Sequence, residues 1–552
     1  MRCPGARAAS SIRRMLRIKI VEAAQNVASY FASAGSLKRS LILRSMLPPP
    51  KSELSHAAPH RSRAGLTLLA AFLGWLFDGF EMGLFPLIGQ PALTDLLGPE
   101  EAANAAKWFG AIIAVFLVGA ASGGVLFGWL GDKIGRVRAM ALSIVTYAIF
   151  TGLCGFATQA WHVAALRFVA SLGMGGEWSL GVALVNEIWS GKSRALTAGL
   201  IGAAANIGYL LVAVLSMALL GFIGKAHGIF LSLGFSEATA ARFLDHSAWR
   251  LLMISGALPA LLIFFSLAFV PESEKWKAEH ARGATSHWAR VDLVGVLIGS
   301  VAALIIIWAW SPIGLSPAWA TVTTVAGLAV ALVGYLHPVR KYLQRAAAAG
   351  TIADRHSGHV IKMMLFGAGL AAVALLGTWG STQWAPRWVK EQLAPTVVNA
   401  KEWTLFWLSA GAIVGTMMAA LAAGRFGRRI TYAALCGGSI GGALLLYQTN
   451  TAYGSYFLFC TFVAGAVTAS FYGFFPLYLP ELFPTACRAT GQGFAFNFGR
   501  IIAAVGGMQT ANLMKVFDNS FPKAASVMAA IYLVGMSIIW LGPETKGRPL
   551  PD

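Results

Sequence analysis

The sequence predicts an all-α membrane protein: two six-helix halves with an extra two-helix hairpin between them, fourteen spans in all. Three observations predict it. The first is composition. Of 552 residues, 57% are hydrophobic and only 12% charged, which is too little charged surface for a soluble domain of this size. A lipid core admits only helices or closed barrels, and long apolar runs without period-two alternation select helices. The second is a short polar turn, Gly128-Trp-Leu-Gly-Asp-Lys-Ile-Gly-Arg-Val-Arg138, wedged between two apolar runs, with an imperfect copy 292 residues later at Ala420 to Arg429. The third is a constant offset. Phe168-Val-Ala170 returns as Phe462-Val-Ala464, and Glu187, Arg194 and Gly199 return as Glu481, Arg488 and Gly493, always 294 residues on. Repeated halves with a site between them are the architecture of many secondary transporters.

Taken in order, residues 1–64 are rich in Arg, Ser and Ala and include the Pro run 48–50. They hold twelve Lys/Arg and two Asp/Glu, half of the net charge of +20. No signal-peptide core with a cleavage site is present, so a disordered basic cytoplasmic tail is expected, with Met15 and Met46 as later candidate starts. The six spans of the N-terminal half, residues 65–270, are expected at 66–88, 108–129, 139–157, 162–187, 194–220 and 250–270. A central region, 271–362, carries a hairpin at 291–310 and 318–336, joined by Ser311-Pro-Ile-Gly-Leu-Ser-Pro317. The C-terminal half, 363–542, has spans at 363–385, 404–423, 431–449, 454–479, 489–511 and 525–542, and residues 543–552 form a second tail. With the N-terminus inside, the internal tails and loops hold 32 Lys/Arg and the external loops 8. Without the first tail the balance is still 20 to 8, so positive residues mark the inner side. A multi-pass protein of the inner or plasma membrane, with both termini cytoplasmic, is the expected placement. Gly119, Gly123, Gly124 and Gly128 are spaced for close helix packing.

The charge could suggest nucleic acid, but its concentration in a tail and in inner loops argues for lipid instead. Five scattered cysteines (Cys3, Cys154, Cys436, Cys460, Cys487) make no metal or redox spacing. No Walker A sequence offers ATP as a driving force, and no catalytic constellation or metal cluster is visible. The expectation is a non-enzyme without cofactor, whose partners are the bilayer and a small-molecule substrate.

In the polar turn, Asp132 can meet the positive N-terminus of a neighbouring helix. Gly131 and Gly135 permit close backbone approach. Arg136 can pair with a carboxylate at another helix end, for which Glu187 is the candidate. Such contacts would latch the inner side in one state and break in the other. In the second copy, which carries Arg425 and Arg428, Gly424 replaces the acid, so that latch is expected to be weaker. Glu481 and Arg488 are the repeat mates of Glu187 and Arg194.

Asp78 and Glu81 lie inside the first span, three residues apart and on one face. An ionised carboxylate there must be paired, protonated or solvated. Arg167, at a matching depth in the fourth span, is the candidate cation. Desolvation favours the neutral form of a carboxyl and a nearby cation the charged form, so a moving cation can switch protonation. Glu177, deeper in the same helix, is a second proton site or a structural partner. Arg500 falls at mid-membrane and cannot shed its charge, so a substrate carboxylate or a partner such as Glu177 must answer it. Asn497, one turn away, is placed to share the ligand. Asn206, Tyr209, Gln383, Trp379 and Tyr472 are further polar positions for a binding site, or else for helix packing.

These motifs resemble the major facilitator superfamily. The polar turn matches its signature, and Pro271-Glu-Ser-Glu-Lys-Trp276 is similar to its Pro-Glu-Ser motif. Pro480-Glu-Leu-Phe-Pro-Thr-Ala-Cys-Arg488 and Pro543-Glu-Thr-Lys-Gly547 resemble its sugar-porter motifs, and Arg167-Phe-Val-Ala-Ser-Leu-Gly-Met-Gly-Gly-Glu177 its fourth helix. Within the superfamily, Phe77-Asp-Gly-Phe-Glu81, the Glu-x-Trp at 274–276 and the central hairpin look most like the sialate:proton symporters, with monocarboxylate symporters similar in the first helix. The resemblance implies that Arg167 and the first-helix acid form a proton-coupling pair, with Glu81 where relatives usually carry Asp. It implies a monomer, and the absence of the Gly-Pro-rich fifth-helix antiporter motif favours symport. The expected function is proton-coupled symport of a small organic anion. A neutral sugar or polyol porter is the alternative, and a non-transporting nutrient sensor a distant one.

Overall fold

Apolar runs of twenty to forty residues become long helices because only a helix satisfies its own backbone in lipid. The computed structural model describes residues 61–551 except 102–103, 190–192, 262–268, 311–313 and 352–353. The expected basic tail therefore lies, up to residue 60, outside the described residues. Every described element is helical. The first half comprises α1 (Arg61–Glu101), α2 (Ala105–Ile134), α3 (Arg136–Cys154), α4 (Ala160–Ile188), α5 (Ser193–Ser232) and α6 (Glu237–Ser255). Then come a short helix at Glu274–Ala281, α7 (Leu293–Ala309) and α8 (Pro317–Ala348). The second half comprises α9 (Asp354–Gly380), α10 (Ala400–Phe426), α11 (Arg428–Gln448), α12 (Ser455–Thr468), α13 (Phe471–Tyr478), α14 (Arg488–Val516), α15 (Phe521–Ala529) and α16 (Ile531–Ile538). The segment expected at 454–479 is thus broken between Thr468 and Phe471, and the last one at Ala530.

Among the described residues, twelve helices are long and apolar enough to cross a membrane, not fourteen. The hairpin segments are among the twelve. The two absentees have separate causes. The expected span 250–270 runs into residues 262–268, outside the described set. The expected span 489–511 does fold, as α14, but spends its length on Thr490, Gln492, Asn497 and Arg500, all buried. Polar side chains that turn inward lower a helix's apolarity without placing it in water.

The repeat is visible in the packing. In the first half α2 packs on α4 and α1 on α5, and in the second α10 packs on α12 and α9 on α14. Two further close pairs, α2 with α14 and α5 with α10, join the halves along equivalent seams. Small residues bring the seam backbones together. A Cβ on Gly493 would stand 2.2 Å from the Gly124 carbonyl oxygen, a contact only glycine permits. Its repeat mate Gly199 lies on the other seam, against Met417 and Ala420.

The hairpin leans on this frame. α7 and α8 cross closely where Gly295 faces the Gly334 carbonyl and Gly299 faces the Tyr335 ring. Buried hydroxyls then tie the pair to α2: Ser122 Oγ lies 2.8 Å from Tyr335 Oη, and Ser300 donates to Ser122 at 2.7 Å. Polar contacts of this kind contribute on the order of 0.6 kcal/mol each in lipid.

Candidate functional site

Two polar constellations stand out: one mid-bundle, one at the end that carries the Asp132 turn, here called the turn end.

The mid-bundle constellation begins with Glu81 and Arg167. Their side chains, 3% and 2% exposed, form an ion pair at 2.6 Å. Thr151 donates to the same Glu81 oxygen at 3.3 Å. The guanidinium is flanked by the rings of Phe85 and Phe116, 4.5 and 4.6 Å away. An aromatic clamp both desolvates and attracts a cation, so the pair is held in a dry slot. One turn earlier on α1, Asp78 is fully buried, and neither of its oxygens has a hydrogen-bond partner among the described residues. Its charged neighbours are Glu177, Arg500 and Glu81. Asp78 and Glu177 approach each other without meeting hydrogen-bond geometry, and both Glu177 oxygens are also unpartnered among the described residues. The Glu177 carboxyl rests in a notch at Gly74, where a Cβ would stand 1.7 Å from Oε1. Glu177 also borders a second small cavity, walled by Trp75, Trp178, Ala71 and Gly181.

The main cavity between the halves is lined by Arg500, Asn206, Tyr209, Trp379, Gln383 and Tyr472, together with Trp75, Thr378, Thr382, Ser409 and Thr468. Arg500 is 3% exposed, and its Nη1 has no hydrogen-bond partner among the described residues. A permanently charged guanidinium, with apolar walls and a few convergent polar groups, suits recognition of an anionic group. Six of the seven side chains expected at a binding site therefore line one cavity. Asn497 does not. Its amide donates to the carbonyls of Gly175 at 3.1 Å and Gly493 at 2.9 Å. A step of three residues on a helix turns the side chain about 60°, enough to move it from the cavity into the α2–α4–α14 seam.

At the turn end, the Asp132 carboxylate accepts from the first turn of α14: Ala489 N at 3.2 Å, Thr490 N at 2.8 Å and Thr490 Oγ1 at 2.6 Å. Orphan amides and helix dipole together favour an anion there. Arg136 holds Asp132 at 2.7 Å and Glu187 at 3.2 Å. Glu187 also pairs with Arg488 of the other half at 2.6 Å. The mirrored arrangement joins Arg428 to Glu481 at 2.7 Å, and Glu481 to Arg194 of the first half at 2.7 Å. Each glutamate thus bridges an arginine of its own half and one of the other. Arg425 stands apart, exposed, with no ion pair among the described residues. Gly135 and Gly427, at φ +108° and +96°, turn the chain between helices, and a carboxylate caps the following helix in each case. Glu272 accepts from Arg136 N and Val137 N at 3.0 and 3.1 Å, and Glu544 accepts from Arg428 N and Arg429 N at 2.8 and 3.1 Å.

Sequence reasoning passed over Arg194, Thr490, Glu272 and Glu544 as members of this network. A signal for Arg194 was available, since it is the repeat mate of Arg488. The Glu-x-Trp element also finds its reason here, because Trp276 Nε1 donates to the Asp132 carbonyl at 2.9 Å.

Comparison with known proteins agrees with this architecture. Residues 376–552 match the family model "Sugar (and other) transporter". The niacin transporter NiaP of Acinetobacter baylyi is 24% identical, over 87% of this chain and 93% of its own. The cis,cis-muconate transport protein of the same organism is 26% identical, over 81% and 87%. Among solved structures, the proton:xylose symporter XylE superposes with a TM-score of 0.59 at 19% identity, covering 89% of this chain and 98% of that one. The human organic anion transporter MFSD10 gives 0.56 at 15% identity, covering 86% and 99%. The Major Facilitator Superfamily model itself matches residues 67–390, well over half of the sequence, and the chain belongs to that superfamily of multi-pass membrane transporters.

Proposed function

We propose that the protein is a proton-coupled symporter of a small organic anion, working by alternating access between its two halves, with both termini in the cytoplasm and fourteen spans including the central hairpin. The observation that carries the reading is Arg500: a buried guanidinium on the wall of the inter-half cavity, with an unpartnered Nη1. Relatives named for niacin and muconate, both carboxylates, support an anionic substrate. The Glu81–Arg167 pair supports proton coupling, because a proton on Glu81 removes the charge that holds Arg167 and frees the clamp for rearrangement. The turn-end network closes the cytoplasmic side in the described state, and substrate enters from the other.

The test uses purified protein in vesicles. Adding substrate should acidify the interior, and Glu81→Gln should abolish accumulation while sparing counterflow exchange. Uphill uptake that survives both Glu81→Gln and Asp78→Asn sinks the coupling reading. The match to the sugar-transporter model and the likeness to XylE favour one second reading, a neutral sugar or polyol porter. Arg500→Gln separates them: it should cut carboxylate uptake at least about thirtyfold, given 2–5 kcal/mol for a buried charge pair, and leave a sugar porter far less affected.

A further inference from the structure

The central helix pair presents a groove that the transport reading does not use. It is a cavity of about 420 Å³, lined by Val294, Gly295, Ile298, Ala329, Val330, Val333, Gly334 and His337. Its apolar walls face out of the bundle: Val294 and Ile298 are 52% exposed and Val333 65%. Gly295 and Gly334 make the floor, where the two backbones meet. The groove lies toward the turn end of the pair, and basic side chains gather where it stops. His337 closes it, Arg340 and Lys341 follow on α8, and Arg290 stands at the head of α7, these three exposed. Lys133 of α2 lies in the field of Arg290 and Arg345. The one acid within the group, Asp292, is already bound by Arg345. Arg290, Arg340 and Lys341 have no ion pair among the described residues.

From Pro317 to His337 is about 30 Å at helical rise, the thickness of the hydrocarbon core. The groove therefore opens to acyl chains, and the basic cluster stands at headgroup depth of one leaflet. We propose that this groove is a binding site for an anionic phospholipid, with an acyl chain between α7 and α8 and the headgroup phosphate held by His337, Arg340, Lys341 and Arg290. An apolar slot ended by uncompensated cations matches both parts of such a lipid. A zwitterionic lipid would bring its own cation to the same cluster, and a second copy of this chain would bring the same positive charge. The proposal rests on the membrane placement of the superfamily and not on proton coupling or on the substrate.

The test compares thermal unfolding and native mass spectra of the full chain in detergent with added phosphatidylglycerol or phosphatidylcholine of identical chains. Phosphatidylglycerol should raise the melting temperature more and remain bound as one retained lipid. Arg340→Gln with Lys341→Gln should weaken its binding about thirtyfold, taking about 1 kcal/mol for each cation at a membrane surface. Val333→Trp, which fills the groove, should displace the chain and abolish the difference. Substrate transport failing in wild type would bear on the proposed function and leave these readings intact. Equal retention of both lipids, or retention of phosphatidylglycerol by both variants, overturns the proposal. A dimer lost on Val333→Trp overturns it too, by showing that a second copy fills the groove. If Val333→Trp does not fold, the exposed Arg340/Lys341 pair still decides the question.

Discussion

A buried carboxyl is defined by what stands next to it, and the three acids of the mid-bundle site have three different neighbourhoods. Glu81 has a cation in an aromatic clamp, Asp78 has two other carboxyls and the Arg500 guanidinium as its charged neighbours, and Glu177 has a notch kept open by a missing side chain. The last gives a sharp prediction. A methyl at Gly74 would meet Glu177 Oε1 at 1.7 Å, and that atom is the free end of a flexible side chain. Gly74→Ala should therefore fold, with a wild-type elution profile, while pushing Glu177 away from Asp78 and lowering proton-driven uptake. Unchanged uptake would make Glu177 a packing residue. Glu81 and Arg167 were legible in the sequence because charges at matching depths in apolar helices must find each other. Gly74 was not legible, because a glycine in an apolar run carries no sign of what fills the space it leaves.

At the scale of the elements, the turns between α2 and α3 and between α10 and α11 use one device twice: a left-handed glycine, an arginine, and a distant carboxylate capping the next helix. Glu544 supplies the cap on the second turn from outside the membrane. Burial acts to raise its carboxyl, but the amides of Arg428, Lys546 and Arg429 outweigh it, and the group is held below the ordinary glutamate value. The sign follows. A depressed folded value means that the contribution is complete above the unfolded value of about 4.3 and is lost as pH falls through the folded one. Glu544→Gln should lower the melting temperature near neutrality and flatten its fall between about pH 5 and 3. A wild-type pH profile in the variant would remove the cap from the account. The Pro-Glu motifs were visible in the sequence, but their partners lay 136 and 116 residues away along the chain, a separation no local pattern reports.

On the scale of the whole molecule, the two halves are related but not equal. Asp132 caps α14 across one seam, whereas a Cβ at its repeat mate Gly424 would meet only the Ala195 methyl at the start of α5, at 3.1 Å. The ion pairs are closer to symmetrical, with Glu187–Arg488 and Glu481–Arg194 each crossing between halves. These four side chains are buried in the described state, and in the proposed cycle they meet water when the turn end opens. Removing either cross-half arginine leaves its glutamate on Arg136 or Arg428, so it costs the closed state one charge-assisted contact, on the order of 1.5 kcal/mol, and less once that end opens to water. Arg194→Met with Arg488→Met should thus shift the molecule toward the open-turn-end state. A cysteine at Ala412 on the cavity wall, in a cysteine-free background, should then be labelled at least about tenfold faster from that side. Unchanged labelling would show that the seams, not the ion pairs, keep the end closed.

The amino-acid sequence alone determined that the chain is helical, spans a membrane, is built from two repeated halves with a helical pair between them, and carries buried charges at a few depths. Each of these follows from composition and periodicity, which are one-dimensional. Only the tertiary structure decided which buried charges meet, that Asn497 serves a seam while Arg500 serves the cavity, that Arg425 stands outside the network and Arg194 inside it, and that the hairpin carries a groove ended by cations. Those outcomes depend on which face each helix turns to which neighbour, and helices that are apolar all round hold no record of their facing in the order of their residues.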